Sequence, residues 1–159
     1  MHAIKVHAIS QELAELARMT SRSPQYGHPA HREVATGTGP CRLCLATFAI
    51  GADERLLFTY NPFEGLDNVP LPGPVFVHAD GCAPHEGIGF PEQLSAIPLI
   101  AEAYRAGREC TARVPLDGTE REQAVAALLE DDTVQYLHLR HATAGCYIAR
   151  VERADSRSS

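Results

Sequence analysis

Nothing in this 159-residue sequence approaches the roughly 20 consecutive apolar residues that a membrane-spanning helix requires. The start, Met1 to Ser10, also lacks the apolar core of a secretion signal. A membrane partner is therefore not expected, and a cytoplasmic location is. Basic residues are outnumbered, 14 against 20 acidic ones for a formal charge of −6, and they are dispersed. Nucleic acid is excluded as an expected partner, because binding phosphates needs a concentrated basic face. Lysine occurs once, as Lys5, against 13 arginines, a preference that a GC-rich genome would set. There are no internal repeats and no complete catalytic signature, so no reaction is assigned. Five cysteines are an odd number for a disulfide framework. They point instead to a reducing compartment with thiols or metal thiolates.

What is present fits one globular domain. With 45% apolar and 21% charged residues the chain can bury a core without staples, and residues 1–152 are read as a single domain followed by a polar tail over 153–159. Ile4 to Ile9 reads as a strand. Ser10 then caps a helix with Leu13, Leu16 and Ala17 as its apolar stripe, ending near Thr20. Residues 20–40 are rich in Ser, Gly and Pro and read as a long loop in which His28 and His31 are solvated. Strand signals recur at Arg55 to Tyr60, Pro74 to Ala79, Glu109 to Val114, Val134 to Arg140 and Cys146 to Val151. Pro98 to Gly107 fits either a helix or the first arm of a hairpin. A second helix is expected from Glu120 to Glu130, opened by the capping box Thr119-Glu120-Arg121-Glu122 and buried through Val125, Leu128 and Leu129. The fold class that follows is α+β, with a mixed or mainly antiparallel sheet and two main helices.

The most informative feature is a set of four residues. Cys41 and Cys44 stand three apart in Gly39-Pro40-Cys41-Arg42-Leu43-Cys44-Leu45, and His78 and Cys82 follow in Phe76-Val77-His78-Ala79-Asp80-Gly81-Cys82. The CxxC pair can clamp one ion from a tight turn, and the HxxxC pair supplies two further ligands from a strand end and its turn, as a tetrahedral zinc site requires. Against zinc, the glycine usual near the second cysteine of such a knuckle is absent, with Leu43 and Leu45 flanking Cys44 instead, and 33 residues separate the two pairs. A thioredoxin-like role is weak, since no helix is expected to start at Cys41 and lower its pKa.

The last two strands form a hairpin. Alternation places Leu137 and Leu139 on one face and Tyr136, His138 and Arg140 on the other. A turn over His141 to Gly145 would set Arg140 opposite Cys146, Leu139 opposite Tyr147 and Leu137 opposite Ala149, gathering His138, Arg140 and Cys146 on one face. Cys146 reads either as an inert packed thiol or as one made reactive by its cationic neighbours. Arg42, His138 and Arg140 together offer a fork, a base and a second cation suited to a small anionic ligand.

With Pro40-Cys41-Arg42, Leu56-Leu57-Phe58-Thr59-Tyr60, Gly73-Pro74-Val75-Phe76-Val77-His78, Tyr136-Leu137-His138-Leu139-Arg140 and Gly145-Cys146-Tyr147 in that order, the chain resembles an uncharacterised bacterial family, domain of unknown function 1203. The resemblance covers roughly Gly37 to Arg153. It implies an α+β domain in which Cys41, Arg42, His138 and Cys146 match recurrent motifs, and it brings no reaction. Two functional readings follow. The first is a site for a small anionic molecule, bound or acted upon, at Cys41, Arg42, His138, Arg140 and Cys146. The second is a structural zinc module for protein interaction at Cys41, Cys44, His78 and Cys82.

Overall fold

Short segments separated by Gly and Pro build sheets here, and two segments rich in Ala, Leu, Glu, Gln and Arg build helices. The computed structural model describes residues 3–63, 73–118 and 120–154. In chain order its elements are β1 (Ile4–His7), α1 (Gln11–Thr20), β2 (His31–Val34), β3 (Glu54–Tyr60), β4 (Gly73–His78), β5 (Leu99–Arg105), β6 (Glu109–Leu116), α2 (Arg121–Leu128), β7 (Tyr136–His141) and β8 (Tyr147–Arg153), with 3-10 turns at Glu92–Ala96 and Ala106–Arg108. The fold is α+β, with two antiparallel sheets. The chain gathers into two compact units, Ala8–His85 and a second made of Met1–His7 with Glu86–Ser159.

In the Ala8–His85 unit, β2, β3 and β4 form an antiparallel sheet in that order. Ser10 caps α1 as its spacing suggests, its hydroxyl accepting from the Leu13 N–H at 3.1 Å. The buried face of α1 is Ala14 and Ala17, however, and Leu16 is exposed. The expected Leu13, Leu16, Ala17 stripe is therefore rotated. β2 lies inside the segment expected to be a loop, and it begins at His31. Its mostly exposed residues carry no apolar alternation, and its structure comes from pairing with β3, His31 opposite Leu57 and Val34 opposite Glu54.

In the other unit the sheet order is β1-β8-β7-β5-β6. Pro98 to Gly107 resolves as a hairpin arm, β5, which pairs with both β6 and β7. One face of this sheet is apolar, with Ile4, Val6, Ala101, Leu137, Leu139 and Val151 all buried. Val125, Ala126 and Leu129, from α2 and its end, are buried as well, while Leu128 is only half-buried. No side chain caps α2 at Glu120. Glu122 accepts instead from the Phe90 N–H at 2.7 Å, and Thr119 of the expected capping box lies outside the described residues. Arg153, expected to begin the tail, ends β8. Its guanidinium donates to the carbonyls of Leu129 (2.6 Å), Val134 (2.8 Å) and Asp131 (3.0 Å), filling acceptors that the end of α2 leaves open. Residues 155–159 lie outside the described residues. Among the described residues no helix is long and apolar enough to cross a membrane.

The hairpin register differs from the one the pattern suggests. Leu137 opposes Val151, His138 opposes Arg150 and Leu139 opposes Ala149, and after an irregularity Arg140 opposes Tyr147. His141 then donates its N–H to the Cys146 carbonyl at 2.9 Å, so Cys146 is not the partner of Arg140. The cause is local. His141 Nδ1 accepts from the N–H groups of Thr143 and Ala144, and Gly145, at φ 79°, donates back to the His141 carbonyl. The loop therefore closes over four residues, and the bulge beyond it puts Tyr147 edge-on against His138, 5.0 Å between centroids. Leu137 is fully buried all the same. Leu137→Ala is expected to lower stability by about 2 to 5 kcal/mol in urea denaturation, and a loss below about 1 kcal/mol would contradict its place in the core.

Candidate metal centre

Cys41 to Ala46 folds back on itself. The Leu45 N–H donates to the Cys41 carbonyl at 2.9 Å, and the Cys41 N–H donates to the Ala46 carbonyl at 3.0 Å. Leu45 adopts φ 60°, the left-handed conformation for which a knuckle ordinarily uses glycine. That conformation costs a branched residue about 1 to 2 kcal/mol. Leu45 is 1% exposed, and burying a leucine contributes about 1.5 to 3 kcal/mol, enough to offset the strain. The turn is thus made without the glycine whose absence counted against it.

His78 ends β4 opposite Arg55 of β3, and Cys82 follows the turn at Gly81, where φ is 118°. The donor atoms of Cys41, Cys44, His78 and Cys82 all lie within 4.8 Å of one another. Cys41 Sγ is 3.7 Å from Cys82 Sγ, and Cys44 Sγ is 3.5 Å from His78 Nδ1. Zn–S bonds of about 2.3 Å and Zn–N bonds of about 2.0 Å at tetrahedral angles require S···S near 3.8 Å and S···N near 3.5 Å. Both distances fit. His78 presents Nδ1 to the thiol, and its Nε2 is 3.5 Å from Asp53 Oδ2, so a carboxylate stands behind the candidate ligand histidine.

Donors surround the sulfurs too. The His78 N–H points at Cys41 Sγ at 3.4 Å, and Arg18 donates from Nη2 to Cys82 Sγ at 3.4 Å and from Nε to the His78 carbonyl at 2.9 Å. Hydrogen bonds from the Cys44 and Cys82 thiols hold the Cys41 thiol well below its ordinary range, against desolvation, with help from the Cys44 and Leu43 N–H groups. The contact with Cys41 pushes the Cys44 thiol up. Phe48 supports the histidine ring at 4.7 Å between centroids. Arg55, stacked 3.8 Å over Phe76 and bonded twice to Glu33 Oε2, stands over Phe48 in turn. A Cβ on Gly39 would fall 2.4 Å from Phe48 Cδ2, so this glycine makes room for the ring that backs His78.

Sequence reasoning missed Asp53, Arg18 and Phe48. Asp53 alone had a usable signal, since it precedes the strand paired with β4, two residues before the partner of His78. Asp53→Ala is expected to weaken zinc binding about 10- to 100-fold in a competition titration with a chromogenic chelator. Unchanged affinity would remove Asp53 from the site.

The other candidate residues sit as follows. Arg42 is 1% exposed, and its Nη1 donates to the Pro40 carbonyl while its backbone bonds Phe76 and Ile9. Arg42 thus braces the turn that carries Cys41. His138 is fully buried in the other unit. Burial first, then Arg150 and Arg140, push its pKa down to about 2. Arg140 donates to Glu102 Oε1 at 2.7 Å, and Cys146 lies at the hairpin turn, half-buried. His28 bonds the Pro29 carbonyl, and His31 stands 3.3 Å from Glu33. Residues 38–153 match the model of a family described as a protein of unknown function (DUF1203). No curated protein and no solved structure matches the chain.

Proposed function

Because the chain belongs to DUF1203, a family of unknown function, we propose a role from the geometry alone: one zinc ion, held by Cys41, Cys44, His78 and Cys82, stabilises the Ala8–His85 unit. The observation that carries this reading is the convergence of four soft donors, from a turn, a strand end and a second turn, within 4.8 Å. Three thiolates and a neutral imidazole fill a tetrahedron, which leaves no position for a substrate or a reactive water. That is the signature of a structural zinc. The three thiolates and neutral imidazole with Zn²⁺ would carry a net charge of −1, and the Arg18 guanidinium on Cys82 offsets it. The ion would tie the knuckle turn to the end of β4 and so present the surface of this unit in one conformation, a suitable platform for a protein partner.

A small anionic ligand on Cys41, Arg42, His138, Arg140 and Cys146 finds less support. Cys41 belongs to the tetrad, Arg42 braces its own loop, and Arg140 is engaged by Glu102. Protein purified without a histidine tag and kept reduced should contain close to one zinc per chain by elemental analysis, and Cys44→Ser should lose it. Metal-free wild-type protein, or a variant that retains full zinc, would overturn the proposal.

A further inference from the structure

The face of the five-stranded sheet opposite its apolar core is buried yet lined with polar and aromatic groups. Across β5 and β7, Glu102 opposes His138 and Tyr104 opposes Tyr136. The Tyr104 and Tyr136 rings stack at 5.3 Å, and His138 touches them at 5.2 and 5.1 Å. From β8, Arg150 lies over the Tyr136 ring at 4.7 Å and directs Nε at His138 Nε2, 3.4 Å away. Glu102 closes one side of this cluster by accepting from the Tyr104 hydroxyl (2.9 Å), Arg140 (2.7 Å) and Arg113 (3.0 Å). Tyr136 is different. It is 8% exposed, and its hydroxyl is buried with no hydrogen-bond partner among the described residues. A buried phenol leaves its donor unmade only at a cost.

We propose that the Tyr136 hydroxyl, together with the Arg150 and Arg108 guanidinium groups, forms a binding site for a small oxyanion, the carboxylate or phosphate group of a metabolite. The charges that bear on the Tyr136 phenol are both positive, from Arg150 and Arg108, and those that bear on His138 are Arg150 and Arg140. A donor hydroxyl beside two cations in a water-poor setting selects an anionic acceptor. A route in exists. Tyr136 stands on the last rung of the β5–β7 ladder, beside the turn Ala106–Arg108, where Ala106 and Gly107 are exposed and Arg108 is half-buried. Arg108 itself takes φ 60°, a strained conformation for an arginine. This site differs from the one suggested by the sequence motifs. It keeps the His138 neighbourhood, but its anion-facing groups are Tyr136, Arg150 and Arg108 in place of Cys41, Arg42, Arg140 and Cys146.

The test is thermal unfolding of the wild type and Tyr136→Phe in sodium chloride, inorganic phosphate and sodium acetate at matched ionic strength. In the wild type, phosphate, acetate or both should raise the midpoint by at least about 2 °C at saturating concentration, and which of them acts identifies the phosphate or the carboxylate group. Tyr136→Phe should melt no lower than the wild type in chloride, because it removes a hydroxyl without a partner, and should lose most of the anion response. Three outcomes would overturn the site: no anion raises the wild-type midpoint, as when a water alone serves the hydroxyl; both proteins respond equally, which marks a general salt effect; or Tyr136→Phe melts clearly lower in chloride, which gives the hydroxyl a structural partner.

Discussion

Stripping zinc with excess chelator at neutral pH is expected to cost the protein at least about 5 kcal/mol of stability. Structural zinc sites contribute apparent binding free energies of about 10 to 16 kcal/mol, as large as the whole stability of an ordinary domain. Here the ion's free energy would be spent on joining three separate stretches of chain, the turn at Cys41 and Cys44, the end of β4 at His78, and Cys82 beyond it. Removing the ion leaves three thiols crowded beside one imidazole. The amides to watch are those that depend on the turn: Cys41 bonded to Ala46, Leu45 bonded to Cys41, and His78 directed at Cys41 Sγ. Hydrogen exchange should show their protection lost once elemental analysis confirms that the metal is gone. Protein verified as zinc-free that melts as before, with those amides still protected, would end the structural reading even if zinc binds.

The second large effect is acid sensitivity through His138. Its folded pKa is depressed to about 2 from an ordinary 6.5, by burial first and then by Arg150 and Arg140. Below pH 6.5 the unfolded chain therefore binds a proton that the folded chain refuses, so stability rises with pH and is fully present only above about 6.5. It is lost at about 1.4 kcal/mol per pH unit as the pH falls toward the folded value, roughly 6 kcal/mol over the whole window and about 2 kcal/mol by pH 5. Thiolate protonation would also release a bound zinc in acid, so the informative quantity is a difference between proteins. His138→Phe keeps a ring among Tyr104, Tyr136 and Tyr147 and cannot charge. Between pH 7.5 and 5 its urea midpoint should fall by distinctly less than that of the wild type. Parallel pH profiles for the two would show that His138 is not buried in its neutral form.

Much of this was legible in residue order, and the exceptions have physical causes. Strand signals mark β3, β4, β7 and β8 to within a few residues, because each buries at least one face, and they mark β6 through its residue types, although only Leu116 of it is buried. It is silent about β2, an edge strand with no residue buried below the surface. The tetrad was legible from residue type and spacing, whereas its feasibility was not. Spacing cannot reveal that Leu45 will accept a left-handed backbone, since that outcome depends on the burial of its side chain, which tertiary packing decides. The hairpin register failed for a related reason: counting loop residues ignores the His141 ring, which takes the place of backbone in closing the turn. Face assignment survives for Leu137 and Leu139 because the displacement there is two residues, and it fails for Tyr147, beyond the bulge.

The left-handed leucine has a consequence for metal binding. A glycine at position 45 would relax the backbone but would detach the turn from the interior, leaving the ion as its main restraint. With leucine there, the turn is nailed down from beneath by its own side chain. In the folded unit the leucine would then share with the ion the task of keeping the two cysteines at their spacing, so neither restraint alone would suffice. Leu45→Gly is therefore expected to weaken zinc binding as well as lower stability, although glycine suits the backbone better, because the side chain that anchors the turn is gone.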